Sequence, residues 1–251
     1  MWQAITGQAE GTSHATTGAP CQDREVFRIM EDSDGTEVAV GIVCDGAGSA
    51  KYSDVGADIV SSGLRTRIAQ FVSEYGSSEI TPAVMHEWII ELRQRVCHQA
   101  EAQALDPREF ACTLVFVIAS EDHTIFGQIG DGAIVFKDRN NEINVALWPD
   151  NGEYANHTFF VTQDDSHNRL QYRRHVGITD FIVFSDGLQR LALNEIDKTA
   201  HRGFFEPLIN MVRASTNIQS TELGLDAFLR SERVNKRTDD DKSIVIACRI
   251  I

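Results

Sequence analysis

The chain has 251 residues and carries 23 Lys and Arg against 37 Asp and Glu, a net charge of −14. That balance argues against nonspecific nucleic-acid or anionic-membrane binding, which rest on a basic surface, and leaves room for a local basic pocket. Hydrophobic residues at 42% and charged residues at 24% fit a folded globular protein, and no run approaches the ~20 apolar residues of a transmembrane helix. Residues Met1 to Gln8 show neither the basic start nor the apolar stretch of a signal peptide. Cys21, Cys44, Cys97, Cys112 and Cys248 are scattered, odd in number and without a CxxC pair, which predicts reduced core thiols in a cytoplasmic protein. With no repeat, low-complexity tract or Pro-rich linker, residues 1–251 read as one domain.

In chain order, a first hairpin is expected from Val26–Ile29 and Glu37–Cys44, turning near Asp34-Gly35. Its second arm is nearly all apolar, as in a strand buried on both faces. Ser53 to Glu74 reads as a helix. A second helix starts at Thr81-Pro82, a capping residue followed by Pro at the first helical position. Val84, Trp88, Leu92 and Val96 recur every four residues along it and give one buried stripe. Strand patterns follow at Thr113–Ala119, Thr124–Ile129, Ala133–Phe136 and Phe181–Phe184. A helical region with Ser220 as cap before Leu223–Leu229 comes next, and Ser243–Ile250 closes the chain as a strand. Blocks segregated in this way predict α+β layers, not regular βαβ winding.

Acidic residues sit where these strands end. Asp45, Asp131 and Asp186 each follow an apolar strand, Asp23 precedes the first strand, and Asp239-Asp240-Asp241 precede the last. The hairpin turn at Asp34-Gly35 puts Asp23 and Asp45 together at the open end. If the strands ending at Asp45, Asp131 and Asp186 run one way and the last strand the other, these carboxylates share one edge. Clustered carboxylates need a counter-charge. An oxygen-only ligand set suits Mg²⁺ or Mn²⁺, and the histidines and cysteines offer no zinc spacing. Asp45-Gly46, Asp131-Gly132 and Asp186-Gly187 repeat one dipeptide at three strand ends, where Gly lets the backbone bend and approach an ion. The plainer reading of each is a hairpin turn, for Asp131-Gly132 above all, and of Asp239–Asp241 a solvated acidic loop.

These residues, taken together and in order, resemble the protein phosphatase 2C-like family of metal-dependent Ser/Thr phosphatases, in a bacterial branch. The matching blocks are Cys21-Gln22-Asp23, Val43-Cys44-Asp45-Gly46-Ala47-Gly48, Ile129-Gly130-Asp131-Gly132, Phe184-Ser185-Asp186-Gly187 and Asp240-Asp241-Lys242-Ser243. Gly11–His14 and Gly152–Asn156 resemble that branch in particular. The resemblance implies a four-layer α-β-β-α sandwich, two central mostly antiparallel sheets flanked by helix pairs. It implies two Mn²⁺ or Mg²⁺ ions, with Asp45 bridging them, Gly46 ligating through its carbonyl, and Asp186 and Asp240 holding the first. Asp131 would serve a third ion, Asp23 would hold metal-bound water, and Asp241 would stand behind the ligands. Asp23, Asp45, Asp186 and Asp240 would thus carry catalysis, with a metal-bridging water attacking phosphorus in line. The substrate would be a phosphorylated Ser/Thr protein. The protein would be a monomer with no nucleic-acid or membrane partner.

Several positions depart from the family pattern. Gln22 replaces an acidic residue, Ala47 a His found in many eukaryotic members, and Arg190 an Asp that would support the third ion. The phosphate-clamping Arg is absent before Asp23, which leaves His14, Arg24 and Lys51 as candidates to bind substrate phosphate. Trp148 to His175 stands where a flap is expected, and reads as a cover, a partner surface or a plain surface excursion. These departures keep a second function open, a catalytically weakened module that binds a phosphoprotein or regulatory partner. A metal-dependent hydrolase of a small phosphorylated molecule is a third. A dinucleotide turn at Gly46-Ala47-Gly48 is rejected because position 51 is Lys and Asp45 adjoins the turn. No Walker motif and no Gly-x-Ser-x-Gly occurs.

Overall fold

The computed structural model describes residues 1–14, 18, 20–150 and 158–250. Two five-stranded sheets form its centre. One runs in the order β1 (Trp2–Ala9), β12 (Lys242–Arg249), β9 (Ile178–Phe184), β6 (Ala133–Asp138), β7 (Ile143–Leu147). The other runs β2 (Arg24–Glu31), β3 (Glu37–Cys44), β4 (Leu114–Ala119), β5 (Thr124–Ile129), β8 (Gln171–His175). Every strand pair is antiparallel.

Side-chain alternation explains the layers. On β3, Val38, Val40 and Ile42 face one apolar cluster, while Ala39 and Val43 face another. On β12, Ile244 and Ile246 part from Val245 and Ala247 in the same way. A strand with both faces buried needs an apolar partner on each side. Helices α1 (Ser53–Tyr75) and α2 (Pro82–Ala102) cover the β3 sheet through Val60, Leu64, Ile68, Trp88, Leu92 and Val96. Helices α4 (Arg202–Arg213) and α5 (Ile218–Leu229) cover the β12 sheet through Phe205, Ile209, Val212, Leu225 and Leu229. The third cluster, with Phe126, Phe136, Phe181 and Val183, glues sheet to sheet. This is the expected α-β-β-α sandwich with mostly antiparallel sheets and flanking helix pairs.

Local chemistry accounts for the ends. Thr81 caps α2 by accepting from the Val84 amide at 3.3 Å, ahead of Pro82. The cap of α5 is Asn217, whose side chain accepts from Ser220 N at 3.0 Å, so the helix begins one turn before the Ser220 expected from sequence. The turn at Asp34-Gly35 uses Gly35 at φ 84°. Asp131-Gly132 is no hairpin: β5 belongs to one sheet and β6 to the other, and the dipeptide carries the chain across. Part of the Trp148–His175 segment is structural, since β8 is an edge strand paired to β5 and Arg93 holds Thr162 and Asp164. Residues Gly152–Asn156 lie outside the described residues. All five cysteines are free thiols, with Cys44, Cys112 and Cys248 buried.

Candidate metal centre and catalytic cleft

The strand register carries the acidic residues to one edge. Arg24 pairs with Cys44 at the end of the β2–β3 ladder, so Asp23 and Asp45 leave it side by side. Leu114 pairs with Ile129, and Asp45 bonds Thr113 through both main-chain groups, Thr113 N to Asp45 O at 2.8 Å and Asp45 N to Thr113 Oγ1 at 3.1 Å. In the second sheet Phe184 pairs with both Ala133 and Ile244, which brings the end of β9 beside the starts of β6 and β12. Ser185 and Ser243 then lock the two strand ends, with Ser185 N donating to Ser243 O at 3.1 Å and Ser243 N to Ser185 Oγ at 3.0 Å. Asp131, Asp186 and Asp240 line one cleft of about 570 Å³.

Burial and acidic neighbours raise these carboxylates. Burial pushes Asp23 up to about 8, and Asp241 and Asp186 add to it; the hydroxyls of Ser185 and Ser243 offset it in part. Asp45 is raised well above the usual carboxylate range by burial, then by Asp23 and Asp186, with which it shares a hydrogen bond. Burial and Asp131 lift Asp186 to about 7. Burial likewise raises Asp131 and Asp240, and each feels further acidic neighbours. Neither oxygen of fully buried Asp23 has a partner with hydrogen-bond geometry, nor does Asp186 Oδ1.

Unpartnered buried carboxylate oxygens fit a hard cation and fit little else. Among the described residues no three His, Cys, Asp or Glu side chains form a ready metal cage. The carboxylates instead line an opening, which suits Mg²⁺ or Mn²⁺ because such ions keep much of their water and need only one or two carboxylates each.

Asp241 sits differently. It is buried, and its oxygens accept from Gly11 N and Gln22 N, both at 2.6 Å. His14 Nδ1 lies 3.2 Å from Asp241 Oδ1. Asp241 therefore fastens two N-terminal segments to the start of β12, and it places His14 at the rim near Asp240. Arg24 donates to the carbonyls of Cys21 and Asp23 at 2.9 and 2.6 Å and lies 3.6 Å from Asp54. Lys51 is exposed, with Nζ 5.2 Å over the Tyr52 ring. Gly46 and Gly187 owe their identity to crowding: a Cβ at Gly46 would lie 2.6 Å from Gln22 O, and one at Gly187 would overlap Asp241 O.

Sequence reasoning missed three supports. Gln189 donates to Asp131 O, and Gln22 Nε2 donates to Ala50 O at 3.1 Å. Lys242 is buried and donates to Asp240 O at 2.9 Å and Asn235 Oδ1 at 3.2 Å. Only Lys242 left a signal, a charge just ahead of the apolar run Ile244–Cys248.

Two antiparallel sheets between helix pairs, with acidic strand ends gathered at one edge, define the class: an α-β-β-α sandwich with a carboxylate-lined cleft. The chain belongs to the protein phosphatase 2C family, whose sequence profile matches residues 10–230. A serine/threonine-protein phosphatase 3 from Escherichia coli (strain K12) is 37% identical over 251 residues, 98% of each chain. A serine/threonine phosphatase of S. agalactiae superposes with a TM-score of 0.63 at 14% identity, covering 100% of both chains. A Staphylococcus aureus serine/threonine phosphatase gives 0.61 at 13% identity, covering 100% of this chain and 96% of that one.

Proposed function

We propose that Asp45, Asp131, Asp186 and Asp240, with the Gly46 carbonyl, hold Mg²⁺ or Mn²⁺ at this edge, and that the protein hydrolyses phosphoserine and phosphothreonine in protein substrates. As a member of its family the chain is a serine/threonine phosphatase, a hydrolase; the ions, their ligands and the residue roles are our reading. The observation that carries the reading is convergence: Asp23, Asp45 and Asp186 come from three strand ends in two sheets, Asp23 and Asp186 raise Asp45, Asp186 raises Asp23, and Asp131 and Asp240 raise Asp186, with buried oxygens of Asp23 and Asp186 left unpartnered. A structural protein gains nothing from that repulsion. A structural neighbour, RsbX, is described as in complex with magnesium, at a TM-score of 0.56, 11% identity and coverage of 98% and 94%.

When bound, divalent ions would neutralise the substrate phosphate and supply an activated water near neutral pH. The chain's own residues do the rest. Asp45 and Asp186 are fixed by the strand ends and approach within hydrogen-bond reach of each other, so the ligands are arranged before substrate arrives. Asp23, buried behind them beside the Ser185 and Ser243 hydroxyls, is raised enough to hold or pass a proton near neutral pH. His14, at the rim beside Asp241, is the base best placed to meet a phosphate oxygen. Arg24 is turned to main-chain carbonyls and Asp54, and Lys51 lies over Tyr52. We take residues 1–251 as one catalytic unit, since β1 and β12 pair from opposite ends of the chain. None of the helices is long and apolar enough to cross a membrane, among the described residues. A cytoplasmic, monomeric protein whose partner is its phosphoprotein substrate remains part of this proposal.

The test is hydrolysis of p-nitrophenyl phosphate and a phosphothreonine peptide with Mn²⁺, with Mg²⁺ and with chelator, using Asp186→Asn as control. Metal-dependent phosphate release that the variant loses supports the reading. Metal binding without turnover would instead make the protein a phosphoprotein-binding module.

A further inference from the structure

We propose that a groove beside the carboxylate cleft receives the polypeptide flanking the phosphorylated residue, and that it selects acidic flanks carrying an apolar side chain. The proposal rests on the phosphatase reading above. The groove, about 880 Å³, is bounded by the small hairpin of β10 (Leu193–Asn194) and β11 (Thr199–Ala200), by α4, and by α6 (Glu232–Asn235) with the turn after it.

Its floor is apolar. Leu193, Phe204 and Leu208 are largely buried beneath it, and the Phe204 and Phe228 rings lie 6.3 Å apart. Ile196 stands on its lip 92% exposed. Its rim is basic. Arg190, Arg233 and Arg237 are all exposed there, and none joins an ion pair among the described residues. Glu195 is the one acid among the described residues that line it. In a chain of net charge −14, three arginines outside any ion pair at one opening, against the single acid Glu195, are a local reversal of sign. Guanidinium groups bind carboxylates with two parallel hydrogen bonds and tolerate partial desolvation, which suits an acidic peptide on an apolar floor.

The groove and the carboxylate cleft are continuous. Arg190, Leu193 and Glu195 line both. A substrate with its phosphate at Asp131, Asp186 and Asp240 therefore has one neighbouring residue after another directed past Arg190 towards Arg233 and Arg237. A basic flank would meet like charge on the same path, so the rim discriminates by repulsion as well as attraction.

Three phosphothreonine peptides, flanked by glutamates and one leucine, by neutral residues, or by lysines, test this with Mn²⁺. Wild-type kcat/KM should be about tenfold higher for the acidic than for the basic peptide, and Arg233→Glu/Arg237→Glu should reduce that ratio to about one or invert it. No preference in the wild type, or a preference the variant keeps, overturns the proposal. Arg237→Gln alone should lower the ratio by about threefold, which keeps the test decisive if the double variant folds poorly. p-Nitrophenyl phosphate, too small to reach the groove, reports separately on the phosphatase reading. If it is not turned over, binding of the fluorescein-labelled unphosphorylated acidic peptide, followed by anisotropy, decides for the groove alone: tighter binding to wild type supports it, equal binding overturns it. A dimer that sediments in wild type and is lost in the double variant would give the groove to a second copy and likewise overturn the proposal.

Discussion

Lys242 Nζ donates to the main-chain oxygen of Asp240 at 2.9 Å, from a side chain with no exposed surface. The bond joins the first residue of β12 to the loop that carries a cleft carboxylate. Burial lowers the ammonium, while Asp241 and Asp240 oppose that. Lys242→Met keeps most of the packing and removes the donor. The expected result is an about tenfold higher Mn²⁺ concentration for half-maximal activity, with a smaller change in kcat at saturating metal. A metal titration of activity reads it; an unchanged midpoint would mean that the loop holds itself.

Asp186→Asn separates function from stability. The carboxylate is buried and pushed up to about 7 by burial, Asp131 and Asp240, so removing its charge relieves repulsion. Turnover should fall by at least about a hundredfold while the melting temperature in chelator stays level or rises. A variant that loses both activity and fold would place Asp186 in the framework instead.

The same repulsion sets a pH dependence. Asp23 rises to about 8 and Asp186 to about 7, against an unfolded carboxylate near 4. The folded state therefore binds protons that the unfolded state has lost, and metal-free stability falls as pH rises from about 4 through 8. Saturating Mn²⁺ should remove most of that fall, because the ion binds the deprotonated groups of the folded chain. Glu25, raised by burial to about 7, should leave a smaller metal-independent decline. Thermal melts across this range, with chelator and with Mn²⁺, check the sign; a metal-free protein that grows more stable with pH would contradict it.

How far these features were legible follows from burial. Strands β3, β4, β5, β9 and β12 are buried on both faces and announce themselves as apolar runs. β1 and β8 are edge strands: β1 buries Trp2, Ile5, Gly7 and Ala9 between half-exposed Gln3, Ala4, Thr6 and Gln8, and β8 shows Arg173 and Arg174 to solvent. Neither leaves a pattern distinct from a loop. The acidic ends were readable because each directly adjoins such a run. The division of labour in Asp239–Asp241 was not, since it depends on direction: Asp239 O accepts from Ser13, Asp240 reaches the cleft, and Asp241 is buried on Gly11 and Gln22. The arginines of the groove were invisible because residues 190 and 233 become neighbours only when α4 and α5 fold back.

Gly187 is held by a backbone, not by a turn. Its φ is not in the left-handed region, yet a Cβ would overlap Asp241 O and crowd Lys242. Gly187→Ala must displace Asp241, with its two amide bonds, just ahead of β12. The expected cost is about 2–4 kcal/mol, read by denaturant unfolding, together with weakened metal binding. A tolerated alanine would show that the 239–241 loop moves freely away from β9.

His14 tests what stands in for the absent phosphate-clamping arginine. Its Nδ1 lies 3.2 Å from Asp241 Oδ1, a carboxylate already holding Gly11 and Gln22, so the ring is oriented from the side that faces the protein. An imidazole held at Nδ1 has Nε2 as its second polar atom. If that nitrogen meets substrate phosphate, His14→Ala should raise KM for p-nitrophenyl phosphate by roughly fivefold while kcat changes by less than about twofold. A fall in melting temperature with both kinetic constants unchanged would confine His14 to fastening the 11–14 segment onto β12.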